Sequence, residues 1–399
     1  MAAKKANGEG SVQKYFKNGI FSGWRATITL GRNDEGKLIR KQFYGKTKLE
    51  TLNKAEEYKN KATAGVLPSD DKITLQQWFK TWLFEYKVNE LKTSTMSRYE
   101  GIYRNYIKNT IIGMTKLKDL RPSNIQTYYN TLTREHNKTP DTIKTINKVL
   151  KSVLEQAMIE RFILSNPCKF IILPKIESKE EIQIFSLEEQ KRFIKSTEGH
   201  RHRALFLLDL GTGLRIGELL GLRWSDINSK YTELTVNQTI RRETKLDLKK
   251  GTKIEGAKTE LREGTPKTEL SKRTIPIPSN LIKELKLHQV MQNGEKVKAG
   301  EAYVDNDLVF PNELGEPTDA RNLTRSYERL LKRAEIEYKK FHALRHTFAT
   351  RLFERDEPLK TVSILLGHSN IKITADIYTH VMPEEKTKAI DKLNDLFVL

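Results

Sequence analysis

The chain has 399 residues, which is more than one hydrophobic core normally serves, so we expect two or three domains. Its 71 Lys and Arg against 51 Asp and Glu give a formal charge of +20, which favours a polyanionic partner, most often nucleic acid, over a basic protein that has none. The sequence contains no apolar run of membrane-spanning length, no secretory signal pattern and only one cysteine, so a membrane protein, a secreted protein and a disulfide framework are excluded as expectations.

Residues 1–66 are predicted to form a small basic domain. The segment 11–45 alternates apolar and polar residues and is interrupted by Asn-Gly, Ser-Gly and Asn-Asp-Glu-Gly, which predicts three short strands joined by tight turns. Residues 48–65 have a helix-forming composition that stops at a glycine. Since the first 65 residues hold 14 Lys and Arg against 6 Asp and Glu, we expect a DNA-binding surface here; a merely solvated basic face is the alternative.

Residues 73–165 are predicted to form an all-helical domain after a linker candidate, LPSDD. Thr74 and Gln77 have the spacing of a capping box that opens the first helix. Four helical patterns follow one another: TLQQWFKTWLFEY, TSTMSRYEGIYRNYI, RPSNIQTYYNTL and TPDTIKTINKVLKSVLEQAMIERFI. The segment 166–182 then breaks the pattern with two prolines and is the second linker candidate.

Residues 180–399 are predicted to form a third, α+β domain. Ser186 and Glu189 make another capping box, and helices alternate from there to the end of the chain, apart from one β-rich insert at 231–278. The fold class expected from the whole pattern is therefore multidomain and mainly α, with a three-stranded sheet at the N-terminus and a β-hairpin insert in the last domain.

Two segments of the last domain contain basic residues that are candidates for a functional site. In GTGLRIGELLGLRW (211–224), Arg215 follows two glycines and precedes Glu218 at i+3; an ion pair on a helix surface is the simple interpretation, and the Lys-Ser/Thr of a phosphate-binding P-loop is missing. In PKTELSKRTIPIP (266–278), Lys267 precedes an apparent strand, while Lys258 in the similar AKTELREG competes with it.

The segment FHALRHTFATRL (341–352) puts His342, Arg345 and His346 on one face of a predicted helix, beside an apolar stripe. A zinc site is disfavoured, because the glutamate of HExxH is missing and the guanidinium would lie against the cation. Arginine next to histidine suits an anion better, since guanidinium is a bidentate donor to phosphate oxygens.

The segment LKTVSILLGHSNIKITADIYTHV (359–381) predicts a helix that ends at Gly367, followed by His368 on the connection. Ser369 is expected to cap the next helix, which carries Tyr378. Taken alone, this tyrosine is more easily explained as structural than as catalytic.

The motifs GTGLR, PKT with RTIPI, HALRHT, LGHS and IYTHV, in this order, resemble those of the tyrosine recombinases, or phage-type integrases. Nearly the whole chain shares the likeness. Residues 73–165 resemble the family's SAM-like core-binding domain, and the basic N-terminal sheet resembles the arm-site-binding domain of integrases from conjugative transposons and temperate phages. The resemblance implies six catalytic residues: Arg215, Lys267, His342, Arg345, His368 and Tyr378.

The resemblance also implies the role of each residue. The two arginines would clamp the scissile phosphate, Tyr378 would attack it, and Glu218 would support the first arginine. His342 or Lys267 would act as base or acid, and which of them does which stays open. His346 is interpreted as structural or as supporting the site indirectly. The reaction would proceed through a 3′-phosphotyrosine and needs no metal, cofactor or ATP, because the covalent intermediate conserves the bond energy.

The expected partner is double-stranded DNA, at core and arm sites, bound by a homo-tetramer because joining two duplexes requires four cleavages. The tail looks amphipathic, with Ile390, Leu393, Leu396 and Phe397 on one side. The resemblance implies that it packs on a neighbouring protomer; packing within its own protomer is the alternative. The function implied is integration and excision of a mobile element, with an excisionase and a host DNA-bending protein as possible helpers, in the bacterial cytoplasm.

The alternatives are a chromosome or plasmid dimer resolvase of the same family, a type IB topoisomerase, a DNA-binding regulator with a vestigial site, and a metal-dependent nuclease.

Overall fold

The computed structural model describes residues 11–32, 38–63, 72–175, 182–248, 252–253, 259–265 and 272–381. The chain divides into two compact units, Met1–Glu177 together with Leu246–Glu255, and Ser178–Lys245 together with Gly256–Leu399. Within the described part of the chain, we find no helix that is both long and apolar enough to cross a membrane.

Nine strands and fourteen α-helices are present among the described residues. The strands are β1 Ser11–Lys17, β2 Ile20–Arg32, β3 Leu38–Gly45, β4 Glu233–Thr235, β5 Thr239–Glu243, β6 Leu246–Asp247, β7 Thr252–Lys253, β8 Glu260–Gly264 and β9 Thr274–Pro276. The helices are α1 Lys48–Thr63, α2 Leu75–Thr81, α3 Thr93–Tyr106, α4 Ile111–Met114, α5 Pro122–Arg134, α6 Pro140–Ile159, α7 Leu187–Ser196, α8 Arg203–Thr212, α9 Ile216–Gly221, α10 Ser279–Ala299, α11 Ala320–Arg333, α12 Ala343–Phe353, α13 Leu359–Leu366 and α14 Ile371–Val381.

The N-terminal strands form an antiparallel sheet in the order β1-β2-β3, with α1 packed on one face, as predicted. Ala26 and Ile28 of β2 are buried against Ala55 of α1, a small core that leaves much of the surface to polar residues. The opposite face of the sheet carries alternate residues of β2 and β3, including Arg25, paired with Tyr44 in the strand register.

The helical part of the first unit is held by an aromatic core. Trp78 and Trp82 are buried, and the Trp78 indole donates to the Val153 carbonyl of α6 at 2.9 Å. The predicted capping box is present, since Thr74 and Gln77 exchange side-chain-to-backbone hydrogen bonds. The first helix does not continue as an α-helix, because Trp82–Tyr86 forms a π-helical turn.

The second unit is a helical core with short strands at one side. Aromatic residues from three helices, Phe193 of α7, Phe206 of α8 and Tyr327 of α11, pack together at its centre. The predicted capping box of Ser186 and Glu189 is present. In the insert, β5 pairs with β8 and β4 pairs with β9, all antiparallel, which confirms the predicted β-rich insert and the mainly helical, multidomain fold class.

Candidate active site

The turn between α8 and α9 places the first predicted arginine. Gly213 ends α8 in the left-handed conformation (φ +61°), and Arg215 then stands at the N-terminus of α9. The Arg215 backbone N–H donates to Glu218 Oε2 at 3.1 Å, and its guanidinium donates to Glu218 Oε1 at 2.7 Å. The Glu218 side chain is only 3% exposed, whereas that of Arg215 is 35% exposed. The carboxylate therefore fixes a guanidinium that stays accessible.

Gly213 is required for this turn, and its replacement by Ala gives a testable prediction. A Cβ at this position would lie 2.5 Å from Phe348 Cδ1, in addition to the cost of about 1–2 kcal/mol for left-handed backbone in a non-glycine residue. We expect Gly213→Ala to lower the free energy of unfolding, measured in urea, by about 2–5 kcal/mol. Gly199→Ala is the matched control, because Gly199 also has positive φ (+71°) and a Cβ there meets nothing within 4 Å. An equal loss in both variants would contradict the proposed contact.

Arg345 of α12 is the second predicted arginine and is almost completely buried. Its Nη1 donates to the Gly213 carbonyl and its Nη2 to the Leu366 carbonyl, both at 2.6 Å. Burial lowers the pKa of Arg345 to about 9, with the charge of Arg215 acting in the same direction, so the guanidinium stays protonated at pH 7. Asp209 of α8 lies near it, and complete burial raises the pKa of this carboxyl well above its usual range even though Arg345 opposes the rise.

The end of α13 joins three arginines that are far apart in the sequence. Three successive backbone carbonyls there each accept a hydrogen bond from a different guanidinium. The pairs are Arg273 Nε with Leu365 (2.7 Å), Arg345 Nη2 with Leu366 (2.6 Å) and Arg215 Nη2 with Gly367 (3.1 Å). The last carbonyls of a helix have no partner within the helix and carry its negative dipole end, so they suit cations. We call this arrangement the guanidinium cluster.

Arg273 was not among the residues predicted from the sequence. It immediately precedes β9, and its Nη2 contacts Glu218 Oε2 at 2.9 Å, so Glu218 lies between two guanidinium groups. Burial alone would raise the pKa of Glu218, but Arg273 and Arg215 outweigh burial and hold the pKa below its usual value. The sequence signal was weak, because an arginine beside a strand is ordinarily a surface residue.

Two of the predicted histidines lie beside this cluster. His342 stands at the N-terminus of α12, with its ring centroid 4.6 Å from that of His346. His368 follows Gly367, and its Nδ1 shares a hydrogen bond with the buried Thr374 hydroxyl at 2.7 Å. Burial lowers the pKa of His368 to about 3, and Arg345 and Arg215 contribute to the fall. The pKa of His342 is also lowered, first by desolvation and then by His346 and the charge of Arg345. Both rings are therefore neutral at pH 7 in the free protein.

The lowered pKa of His368 predicts a pH dependence of stability. An unfolded histidine takes up a proton near pH 6.5, whereas folded His368 does so only near pH 3, so protons bind preferentially to the unfolded chain between these values. The contribution of His368 is complete above pH 6.5 and is lost as the pH falls, by at most about 1.4 kcal/mol per pH unit. We expect His368→Gln to flatten the fall in unfolding free energy between pH 6 and pH 4. The same change at the exposed His136 is the control, and equal slopes in both variants would contradict the assignment.

Tyr378 is connected to the site through apolar packing rather than through polar contacts. It lies in α14, with its ring edge-on to Phe353 of α12 at a centroid distance of 5.0 Å. Among the described residues we find no hydrogen-bond partner for its hydroxyl, and the structure does not bring this hydroxyl into contact with either predicted arginine. The helix that carries Arg345 therefore also supports the tyrosine.

Two further predictions need comment. Ser369 does not cap α14: the helix begins at Ile371, so Asn370 directly precedes it, and the Asn370 side chain accepts from the Lys372 N–H at 2.9 Å. Lys267, its competitor Lys258 and the tail with Ile390, Leu393, Leu396 and Phe397 lie outside the described residues, so their placement stays a prediction.

A cavity of about 640 Å³ opens beside the cluster. It is lined by Asp209, His342 and Arg345, and also by Arg321 and Arg325 of α11. The exposed face of α11 continues this basic surface, since residues 321, 325 and 329 are all arginines at helical i, i+4 spacing. Such a surface is suited to a phosphate-rich ligand. Among the described residues, no group of three or more His, Cys, Asp or Glu side chains is arranged to hold a metal ion.

Comparison with known proteins identifies the family of the chain. A profile described as "Phage integrase family" matches residues 176–385, and one described as "Phage integrase, N-terminal SAM-like domain" matches residues 74–133. The chain is 48% identical to the "Tyrosine recombinase XerC-like" protein of Caldanaerobacter subterraneus subsp. tengcongensis, over 99% of this chain and 100% of that protein.

Solved structures of integrases share the fold. The Tn1549 transposon integrase in complex with transposon right end DNA is 22% identical and superimposes with a TM-score of 0.66, over 81% of this chain and 100% of that one. A lambda integrase tetramer bound to a Holliday junction is 18% identical, with a TM-score of 0.55, over 94% of this chain and 96% of that one.

The profile that spans half of the chain and the relative that matches it from end to end lead to the same conclusion, which confirms the resemblance found in the motifs. The chain belongs to the phage integrase family, the tyrosine recombinases, which are enzymes of site-specific DNA recombination.

Proposed function

We propose that Tyr378 is the nucleophile of this recombinase, that Arg215 and Arg345 bind the scissile phosphate, and that His342, His368 and Lys267 assist proton transfer and charge stabilisation. The observation that carries this proposal is the guanidinium cluster. Arg215 and Arg345 are 130 positions apart in the sequence, yet they bind neighbouring carbonyls of the same turn, directly before His368. Such an arrangement supplies fixed positive charge without a metal ion.

The chemistry follows from these residue types. The Tyr378 oxygen attacks phosphorus, the bond from phosphorus to the 5′-oxygen breaks, and the departing oxygen takes up a proton. The tyrosine gives up its own proton, and His342 or Lys267 is the group that serves for one of these transfers. Religation is the same step in reverse, with a 5′-hydroxyl as the attacking group. The guanidinium groups neutralise the charge that grows on the nonbridging phosphate oxygens.

The Thr374 hydroxyl bears on the role of His368. Because it engages Nδ1, the ring is held in one orientation and Nε2 remains as the nitrogen for a phosphate oxygen. A neutral imidazole can donate one hydrogen bond from Nε2 when Nδ1 acts as the acceptor from Thr374. The position next to the Gly367 carbonyl, which Arg215 contacts, favours a shared phosphate for the two side chains.

The DNA is proposed to follow the basic surface of α11 into the cavity that His342 and Arg345 line. Arg321 and Arg325 line the same cavity, so a backbone phosphate held by these side chains would stand beside the reacting one. Contacts of this kind fix the register of a protein on DNA without reading its sequence.

Integration and excision of a mobile element is the biological role that we favour over dimer resolution. The three-stranded N-terminal sheet supports this choice, because its face opposite α1 carries Arg25 and Arg40. A sheet face of this kind can read a DNA groove, and we propose that it binds arm sites separate from the core site. The likeness to the XerC-like relative is the argument for the resolvase alternative.

The active assembly is proposed to be a homo-tetramer on two duplexes, with the segment after Tyr378 packing on a neighbouring protomer. The solved lambda integrase is a tetramer on a Holliday junction, which supports this assembly. An excisionase and a host DNA-bending protein are proposed as accessory partners, in the bacterial cytoplasm. The division into domains at 1–66, 73–165 and 180–399 is proposed along with these roles.

Strand exchange tests the function. Two duplexes of different length, cut from DNA that flanks the gene and its insertion site, are incubated with the full chain in EDTA. We expect recombinant products of new length. Relaxation of supercoiled DNA without exchange would favour the topoisomerase reaction, and cleavage only when a divalent metal is added would favour a nuclease. Exchange that persists without residues 1–66, at unchanged rate and site choice, would favour the resolvase role.

A further inference from the structure

Arg273, the first residue of RTIPI, is the member of the guanidinium cluster to which the family resemblance assigned no role. Its side chain is 5% exposed, and the Glu218 carboxylate that it contacts is 3% exposed, so the pair is shielded from water. Removing one partner of a buried ion pair leaves the other charge buried without compensation, which is strongly destabilising. Unlike Arg345, Arg273 is not among the residues that line the cavity beside the cluster, so it is poorly suited to touch DNA.

The contacts of Arg273 join three separate elements. Nη2 binds Glu218 of α9, Nε binds the Leu365 carbonyl of α13, and the backbone carbonyl of Arg273 accepts from the Val236 N–H at 2.9 Å, next to β4. The β4–β9 ladder thereby sets the position of the guanidinium. The guanidinium in turn sets the distance between the helix that carries Glu218 and the helix end that precedes His368.

Gly367 shows how closely Arg273 approaches this helix end. A Cβ at Gly367 would lie 2.9 Å from both Cδ and Nη1 of Arg273, and the φ of +63° is itself suited to glycine. The same glycine offers its carbonyl to Arg215. Arg273 therefore packs directly behind the turn on which Arg215 is held.

We propose that Arg273 is a positioning residue of the recombination site, which holds Glu218 and the last turn of α13 so that Arg215 and His368 face one phosphate. The inference rests on the proposed roles of Arg215 and His368. In this arrangement Glu218 gives one oxygen to each guanidinium, and the backbone N–H of Arg215 shares the oxygen that Arg273 contacts. Loss of Arg273 would release the carboxylate from this position and allow Arg215 to turn away from the phosphate.

Arg273→Met is the first test variant, measured with the full chain on nicked duplex DNA. We expect the rate of covalent adduct formation at saturating DNA to fall by about 10–100-fold, the loss that is typical when the hydrogen-bond partner of a metal ligand is removed. The affinity for DNA should change by less than about threefold. Glu218 would then lose the charge that holds its pKa down, so the acidic limb of the pH–rate profile should move to higher pH.

Arg203→Met is the matched control. Like Arg273, Arg203 binds both a carboxylate, that of Glu284, and the carbonyl of Ile194 in the last turn of a helix, but neither contact belongs to the site. We expect this variant to lose stability, while the rate of adduct formation and the acidic limb of its pH–rate profile stay unchanged. An equal rate loss in both variants would show that Arg273 acts only on folding and would overturn the proposal.

Arg273→Lys keeps the test decisive if the Met variant does not fold. Lysine retains the charge beside Glu218, but its single ammonium cannot reproduce the planar guanidinium geometry that binds the carboxylate and the Leu365 carbonyl together. We expect the acidic limb of the pH–rate profile to stay where it is in wild type, and the rate of adduct formation to fall by about tenfold. A wild-type rate in this variant would overturn the positioning role.

Wild type and Tyr378→Phe on the same gel separate the two possible failures. If wild type forms no more adduct than Tyr378→Phe, the proposed nucleophile is wrong and the inference falls with it. If wild type reacts and Arg273→Met reacts equally fast with the same pH limb, only the inference about Arg273 is wrong.

Discussion

Replacing Tyr378 with Phe is expected to abolish the covalent protein–DNA adduct, a loss of at least about 10⁴-fold, because removal of a nucleophile eliminates the step that depends on it. DNA binding and stability should remain close to wild type, since the ring contact with Phe353 is kept and no described residue bonds to the hydroxyl. The measurement is a denaturing gel after incubation with nicked duplexes from DNA flanking the gene, in EDTA.

Tyr338→Phe is the control for this experiment, because Tyr338 is an exposed tyrosine of the same unit and has no proposed role in the reaction. It should form as much adduct as wild type. Equal adduct in wild type and Tyr378→Phe would place the nucleophile elsewhere and refute the mechanism.

Replacing Arg345 with Met is expected to slow cleavage by about 10²–10³-fold, which corresponds to roughly 3–4 kcal/mol of lost transition-state stabilisation. The variant should also be less stable, because the Gly213 and Leu366 carbonyls lose their buried donor at a cost of about 1–3 kcal/mol each. Single-turnover cleavage and urea unfolding measure the two effects separately.

Arg351→Met on the same helix is the matched control for Arg345. Its guanidinium binds Glu354, Gln190 and the Phe185 carbonyl, so its loss should affect stability alone. If cleavage by the folded Arg351→Met protein fell as far as that of Arg345→Met, the loss would reflect damage to α12 rather than loss of a phosphate contact.

Much of the fold was predictable because its signals are local. The strands of the N-terminal sheet are marked by turn residues between them, and the capping boxes at Thr74 and Ser186 depend on residues three positions away. The pair of Arg215 and Glu218 is equally local. The spacing of this pair did not predict that Arg215 would contact the end of α13. The family resemblance had implied only that Arg215 binds the scissile phosphate.

The parts that could not be predicted depend on distant contacts. Arg273 meets Glu218 and Leu365 across 55 and 92 positions, and nothing in the pattern RTIPI indicates a buried guanidinium. Asp209 offered a usable signal, a single carboxyl within the apolar run RALFLLDL, which indicates a buried charge or a protonated acid. The π-helical turn at Trp82–Tyr86 had none, because its residues favour an ordinary helix equally well.

The attachment of three arginines to consecutive backbone carbonyls has a consequence for how sequences of this kind can change in length. Inserting or deleting one residue within α13 would rotate its final carbonyls by about 100° relative to the rest of the helix, and all three guanidinium groups would lose their acceptors together. Side-chain substitutions in α13 leave those acceptors in place, because every residue supplies the same carbonyl group. The exposed positions from Leu359 to Leu366 should therefore accept changes of residue type far more readily than the helix accepts a change of length.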